Sequence, residues 1–228
     1  MPIQYDIVIP AYNAHKELPI LLKQLEKLTL KPNTVFVIDD GSTQPYALLD
    51  TNSFKIELLR LNTNRGKGLA LRKGMELFLQ KNGSPFLLLM DADGQHPVAK
   101  IDDFLRMIEK ESYDLLIGNR IERIGKMPAL RIFSNTISSL IVSWVTGQRI
   151  SDSQCGFRML KREVVQNLEL QEKGFQIETE LILKALKNGY RLGFVPIPTI
   201  YNGQKSYIKH LSDTLRFVQI ILKEIFSK

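Results

Sequence analysis

Through roughly the first two-thirds of the chain, short unbroken apolar runs alternate with longer stretches whose apolar residues recur at helical spacing. Ile7-Val8-Ile9, ended by Pro10, reads as a buried strand. Leu18 to Leu28 follows helical spacing and stops at Lys31-Pro32-Asn33. Val35 to Ile38 is a second strand, closed by Asp39-Asp40-Gly41-Ser42, and Ile56 to Leu61 a third. A helix from about Gly68 to Gln80 precedes a fourth strand, Phe86 to Met90, which ends at Asp91. A helix over about Ala99 to Lys110 then leads to a strand over Asp114 to Ile117.

Continuous apolar strands separated by helices predict an α/β fold, a largely parallel sheet covered on both faces. After about Ile121 the pattern changes. A serine-rich amphipathic helix over about Leu130 to Thr146 leads into Asp152-Ser153-Gln154-Cys155-Gly156-Phe157-Arg158. A helix near Glu178 to Lys187 and a strand near Leu192 to Val195 follow. The last segment, about Ile208 to Phe226, places Leu211, Leu215, Val218, Leu222 and Ile225 on one helical face. Neither a repeat nor a linker interrupts the chain, so a single domain over 1–228 is expected.

At 228 residues the chain is long enough for one full core. Its net charge of +7 points to an anionic partner without choosing among phosphorylated metabolite, acidic membrane face or nucleic acid. One cysteine, Cys155, excludes an internal disulfide and suits a reducing compartment. The first residues carry neither the basic region nor the apolar run of a signal peptide, and no stretch reaches a spanning length. A cytoplasmic protein with at most superficial membrane contact is the expectation.

The polar clusters Pro10-Ala11-Tyr12-Asn13, Asp39-Asp40-Gly41-Ser42 and Asp91-Ala92-Asp93-Gly94-Gln95-His96 all fall at the carboxyl ends of strands, where open α/β sheets bind ligands. Strand alternation would point Asp91 and Asp93 the same way, with Ala92 turned aside. Adjacent carboxylates repel unless a cation neutralises them, and hard oxygen ligands suit Mg²⁺ or Mn²⁺. Gln95 offers a neutral oxygen, and His96 a nitrogen should Mn²⁺ be preferred. By itself the triplet reads equally as an Asx turn with two solvated acids. Gly66-Lys67-Gly68 reads as a turn and helix start, with Lys67 near the site; the Walker phosphate loop is absent.

Seven blocks in order carry a family resemblance. They are Val8-Ile9-Pro10-Ala11-Tyr12-Asn13, Ile38-Asp39-Asp40-Gly41-Ser42, Asn64-Arg65-Gly66-Lys67-Gly68 and Met90-Asp91-Ala92-Asp93-Gly94-Gln95-His96-Pro97. Gly118-Asn119-Arg120, the Asp152 to Arg158 block and Lys205-Ser206 complete them. With these the chain resembles the family 2 glycosyltransferases, in their dolichol-phosphate mannosyltransferase-like, polyprenyl-phosphate branch. The resemblance implies a GT-A fold and an inverting transfer of a hexose, mannose or glucose, from a GDP- or UDP-sugar to a polyprenyl or dolichyl phosphate.

It also implies residue roles. Pro10, Tyr12, Ile38 and Asp40, with Asp39 beside them, would hold the base and ribose. Asp91, Ala92 and Asp93 would hold the donor, and Asp91, Asp93 and Gln95 the metal. Arg120 and Arg131 would take the acceptor phosphate with Ser134 and Asn135 nearby, and Lys205 the leaving diphosphate. Residues 1–120 would form the nucleotide-sugar half and 121–228 the acceptor half. Two positions depart: Ala14 stands where relatives often carry an acid, and Lys205-Ser206 reverses their Ser-Lys order.

A phosphate monoester, with a second pKa of roughly 6, is already an anionic nucleophile at neutral pH and needs no strong base. A hydroxyl acceptor, as in polysaccharide or envelope glycan synthesis, would need one, and Asp152 is then the candidate. Arg158 has two readings, a phosphate contact or a structural partner of Asp152. The apolar residues of the 130–146 helix, with Trp144 near its end, suit a lipid tail and a membrane interface, or simply packing. Expected partners are therefore the nucleotide sugar, the lipid phosphate, and a membrane surface at its cytoplasmic face or an integral membrane partner. Nucleic acid is not expected.

Overall fold

A computed structural model of the chain describes residues 3–47, 51–81, 83–122, 129–200 and 216–223. The elements are β1 (Tyr5–Ala11), α1 (Glu17–Leu25), β2 (Thr34–Asp39), β3 (Lys55–Arg60), α2 (Lys67–Gln80), β4 (Phe86–Leu89), α3 (Ile101–Lys110), β5 (Leu115–Glu122), α4 (Ala129–Thr146), β6 (Arg158–Lys161), α5 (Arg162–Asn167), α6 (Ile177–Lys187) and β7 (Leu192–Pro198). Residues 216–223 are helical.

Seven strands form one sheet in the order β3-β2-β1-β4-β6-β5-β7. β1 pairs parallel with β2 on one side and β4 on the other, so the connection leaving β1 turns one way and that entering β4 the other. Such a reversal opens a crevice beyond the carboxyl ends of the strands. Isoleucine, valine and leucine fill β1, β2 and β4 because both faces are covered; Ile7, Val8, Ile9, Val35, Leu87 and Leu88 are fully buried.

The sheet departs from the sequence expectation in one strand. β6 runs antiparallel between β4 and β5, and neither it nor α5 stands out in the apolar pattern. β6 has four residues, opening on Arg158 and closing on Lys161, so no apolar run announces it. β5 runs on past Ile117 through Glu122 because Gly118, Asn119 and Arg120 keep pairing with β7. It therefore crosses the 120/121 division, and β6 and β7 extend the same sheet.

Arg158 is 1% exposed and lies in the core, not in a ligand site. Its guanidinium donates to the main-chain oxygens of Cys155 (2.7 Å), Glu178 (2.5 Å) and Ser153 (2.9 Å). The structural reading of the sequence holds in kind, with main-chain oxygens as partners in place of the expected Asp152. Three carbonyls converge on one fork-shaped cation, tying the 153–157 loop to α6.

Candidate active site

The ends of β1 and β2 are stitched into one floor. Asn13, left-handed at φ 52°, gives its N–H to Ser42 Oγ (2.9 Å), and its Oδ1 accepts from Thr43 N–H (2.9 Å). Ser42 N–H donates to Asp39 Oδ1 at 2.8 Å. Gly41 turns at φ +71°, and a Cβ there would come within 2.3 Å of the Thr63 carbonyl carbon, so the 63–64 backbone lies directly against the turn.

The two acids of this turn do different work. Asp39 is 0% exposed, yet among the described residues its Oδ2 has no hydrogen-bond partner; the Arg60 guanidinium stands 3.6 Å away. Arg60 is itself held by a 2.8 Å bond to the Ser42 carbonyl. Asp40 instead accepts from the backbone of Arg65 (2.8 Å) and Gly66 (2.9 Å), fixing the loop that enters α2. Burial raises the Asp40 carboxyl above its ordinary value, and those two N–H bonds oppose the rise. Pro10 and Tyr12 are half-buried at the rim. Ile38 at 0% and Ala92 at 5% exposure pack their side chains inward.

β4 ends at Leu89, and Asp91 and Asp93 lie in the turn beyond it rather than on the strand. Asp93 Oδ1 accepts from Gln95 N–H at 2.9 Å, an Asx turn, and Gly94 follows at φ 72°. The turn and the pair of acids thus coexist. His96 folds back so that Nδ1 accepts the Asp91 N–H at 3.0 Å, with its ring stacked on Phe157. Burial pushes this imidazole down to about 4, so it is neutral. His96 thus shapes the turn through Nδ1, while its Nε2 stands 3.9 Å from Asp91 Oδ2.

Lys67, from the first position of α2, pairs with Asp91 Oδ1 (2.6 Å) and with Glu178 Oε1 from α6 (2.7 Å). Burial would raise the Asp91 carboxyl, but Lys67 together with His96 and Arg120 holds the group below its ordinary value. The sequence reading made Lys67 a turn residue near the site and missed Glu178 and Arg60 altogether. Their partners lie far along the chain, so spacing carries no signal of them.

Arg120, from β5, grips Asp152 through Nε–Oδ2 (2.6 Å) and Nη2–Oδ1 (2.8 Å). Asn135 Nδ2 (3.3 Å) and Gln154 N–H (3.2 Å) also reach Asp152 Oδ1. Burial opposes ionisation of Asp152, yet Arg120 holds its carboxyl below the usual range. A carboxylate so held is a weak base. Arg131 falls in the first turn of α4 and Ser134 is exposed one turn on; the Arg131 side chain and Lys205 lie outside the described residues.

Asp91, Asp93 and Gln95 present two carboxylates and an amide on one short turn, a hard donor set. Among the described residues no group of three or more His, Cys, Asp or Glu gathers around a point. A divalent ion here would complete its shell with phosphate oxygens and water, as Mg²⁺ commonly does.

Comparison with known proteins agrees with this geometry. The glycosyl transferase family 2 model matches residues 6–169. The chain is 26% identical to polyprenol monophosphomannose synthase of Mycolicibacterium smegmatis, over 84% of this chain and 75% of that one. It is 27% identical to the UDP-N-acetylglucosamine–dolichyl-phosphate N-acetylglucosaminyltransferase of Methanococcus voltae, over 86% and 85%. Among solved structures, glucosyl-3-phosphoglycerate synthase of Mycobacterium tuberculosis, crystallised with Mn²⁺, UDP and phosphoglyceric acid, superposes with a TM-score of 0.75. That likeness covers 98% of this chain and 79% of the other at 14% identity, and bears on the fold alone, which is GT-A. The crevice at the strand reversal, its acidic turn and the family match converge: the chain belongs to glycosyl transferase family 2 and is a glycosyltransferase.

Proposed function

We propose that this enzyme transfers a hexose from a GDP- or UDP-sugar to a polyprenyl or dolichyl phosphate, with inversion and with Mg²⁺ or Mn²⁺ held by Asp91, Asp93 and Gln95. The observation that carries the reading is the Asp91–Asp93 turn at the sheet's reversal point, with Asp91 paired to Lys67. The names of the two relatives support the lipid phosphate acceptor.

The base end of the crevice favours guanine or uracil. The buried Asp39 Oδ2, ion-paired at 3.6 Å but without a hydrogen bond among the described residues, can accept an N–H, and the neighbouring Arg60 offers N–H to a carbonyl. Guanine and uracil both present a ring N–H beside a carbonyl; adenine and cytosine present an amino group beside a bare ring nitrogen, the opposite polarity. Tyr12 and Pro10 would border the ribose and base. When bound, the divalent ion would neutralise the charge that builds on the diphosphate as it leaves.

The acceptor's phosphate oxygen attacks the anomeric carbon, forming a new C–O bond as the bond to the diphosphate breaks and the nucleoside diphosphate departs. The nucleophile arrives as an anion, so no proton need be removed. Asp152 suits this, being committed to Arg120 and unfit as a base. Arg120 and Arg131 would align the phosphate, Ser134 would add a hydroxyl, and Lys205 would meet the departing diphosphate.

Ile137, Leu140 and Trp144 lie on one face of α4 at 39%, 63% and 81% exposure. Such a face would rest on a lipid surface, presenting the acceptor at the cytoplasmic side of a membrane. Among the described residues no helix is long and apolar enough to cross one.

The test is transfer of radiolabelled sugar from GDP-mannose, UDP-glucose and UDP-N-acetylglucosamine into a short-chain polyprenyl phosphate. Organic-extractable, acid-labile product with at least one donor supports the reading. Transfer only to hydroxyl acceptors overturns it.

A further inference from the structure

One ammonium at this site serves two acids, and the second has no part in the chemistry above. Lys67 bridges Asp91, beyond β4, to Glu178, in the first turn of α6. The side chain of Lys67 is 13% exposed and that of Glu178 8%, while Asp91, at 26%, faces the crevice. The cluster is built tightly. A Cβ on Gly156 would lie 2.9 Å from both Lys67 Nζ and Glu178 Oε1, and 3.0 Å from Asp91 Oδ2. Arg158 pins Glu178 through its main-chain oxygen. The other charged or titratable neighbours have partners of their own: Arg120 pairs with Asp152, Arg158 donates to three main-chain oxygens, and His96 accepts the Asp91 N–H with its Nε2 3.9 Å from Asp91 Oδ2.

The electrostatics set a problem that Glu178 resolves. With no divalent ion, Lys67 offsets the repulsion between Asp91 and Asp93. Once an ion binds Asp91, ammonium and metal are like charges competing for one carboxylate. A buried ammonium with no other partner would hold its place, because losing its only counter-ion is costly. With Glu178 on its far side, the ammonium keeps an ion pair while it gives up Asp91.

We propose that Glu178 is a positioning residue for the cation site: it retains Lys67 when Asp91 is handed to a divalent ion, making Lys67 a resident counter-ion that the metal exchanges. This rests on Asp91 and Asp93 being the cation's ligands. Glu178 touches neither metal nor substrate and acts through the ammonium alone.

The test is Mn²⁺ affinity of the full chain, read from the electron paramagnetic resonance of free Mn²⁺, for wild type, Glu178→Gln, Lys67→Met and the double variant. Glu178→Gln should weaken Mn²⁺ binding about tenfold or more, the range for groups behind a metal ligand. Lys67→Met should bind at least as tightly as wild type. The double variant should match Lys67→Met, because without the ammonium Glu178 has nothing to retain. Glu178→Asp should recover part of the affinity, and it replaces Glu178→Gln in the comparison should that variant fail to fold. Wild-type affinity in Glu178→Gln, or an equal loss with and without Lys67, overturns the proposal and leaves the ligand assignment standing. A wild-type chain that binds no Mn²⁺ overturns both.

Discussion

Replacing Arg158 by methionine should cost about 3 kcal/mol of folding stability, although the residue lies within a motif block of the active site. Its guanidinium makes three bonds to main-chain oxygens, of Ser153, Cys155 and Glu178. Hydrogen bonds from a charged donor are worth roughly 1.5–3 kcal/mol each. Burying that charge costs several kcal/mol, a cost methionine does not incur. Burial indeed depresses the Arg158 guanidinium below its ordinary value. The surplus of the bonds over the burial cost, about 3 kcal/mol, is what the substitution should remove. Urea unfolding measures it: with a slope of roughly 2 kcal/mol/M, the midpoint should fall by about 1.5 M. Arg158→Lys should fall between, since one ammonium cannot span three carbonyls held by a fork. A midpoint within about 0.3 M of wild type at unchanged slope would refute the reasoning. It would mean that the three bonds only offset the cost of burying the charge.

Two further perturbations separate stability from function. Asp152→Asn should lose about 3 kcal/mol at pH 7, because Arg120 would be left without its counter-ion. The folded Asp152 carboxyl lies below its unfolded value, so its contribution is full above about pH 4 and fades as pH falls through the folded value. Urea midpoints across pH should show a constant gap between variant and wild type down to about pH 4, closing below; a gap that closes above pH 5 would contradict the pairing. Trp144→Ser on α4 should leave the midpoint unchanged, since the side chain is 81% exposed, while lowering co-sedimentation with anionic vesicles severalfold. Equal sedimentation would show that this face does not meet lipid.

Much of the fold is legible in the sequence because its strands are buried on both faces. The runs at Ile7 to Ile9, Val35 to Ile38 and Phe86 to Met90 cannot be anything but interior, and the polar residues following them mark the crevice. β6 escapes because only Met159 and Leu160 are apolar in it and its buried first residue is an arginine, which signals surface until three carbonyls are found around it. The site follows the same division. Asp39, Asp40, Asp91 and Asp93 stand out by position at the ends of strands. Lys67, Arg60 and Glu178 do not, since each gains its meaning from a partner brought near by the fold. Ile38 and Ala92 illustrate the converse: they belong to motif blocks, yet their side chains serve packing. Within one Asp-Asp pair the structure assigns opposite tasks, Asp39 leaving an oxygen without a donor while Asp40 closes on the loop before α2. Adjacent identical residues give no hint of that difference.

The proposal of a cation at the Asp91–Asp93 turn is tested most directly by calorimetric titration of GDP and UDP into the chain with and without Mn²⁺, beside an Asp93→Ala variant of unchanged thermal midpoint. At least one nucleotide should bind wild type tenfold or more tightly with the ion present, by roughly 1.4 kcal/mol, and the variant should show no such gain. Equal affinity with and without Mn²⁺ in wild type, or a full gain in the variant, would contradict the assignment.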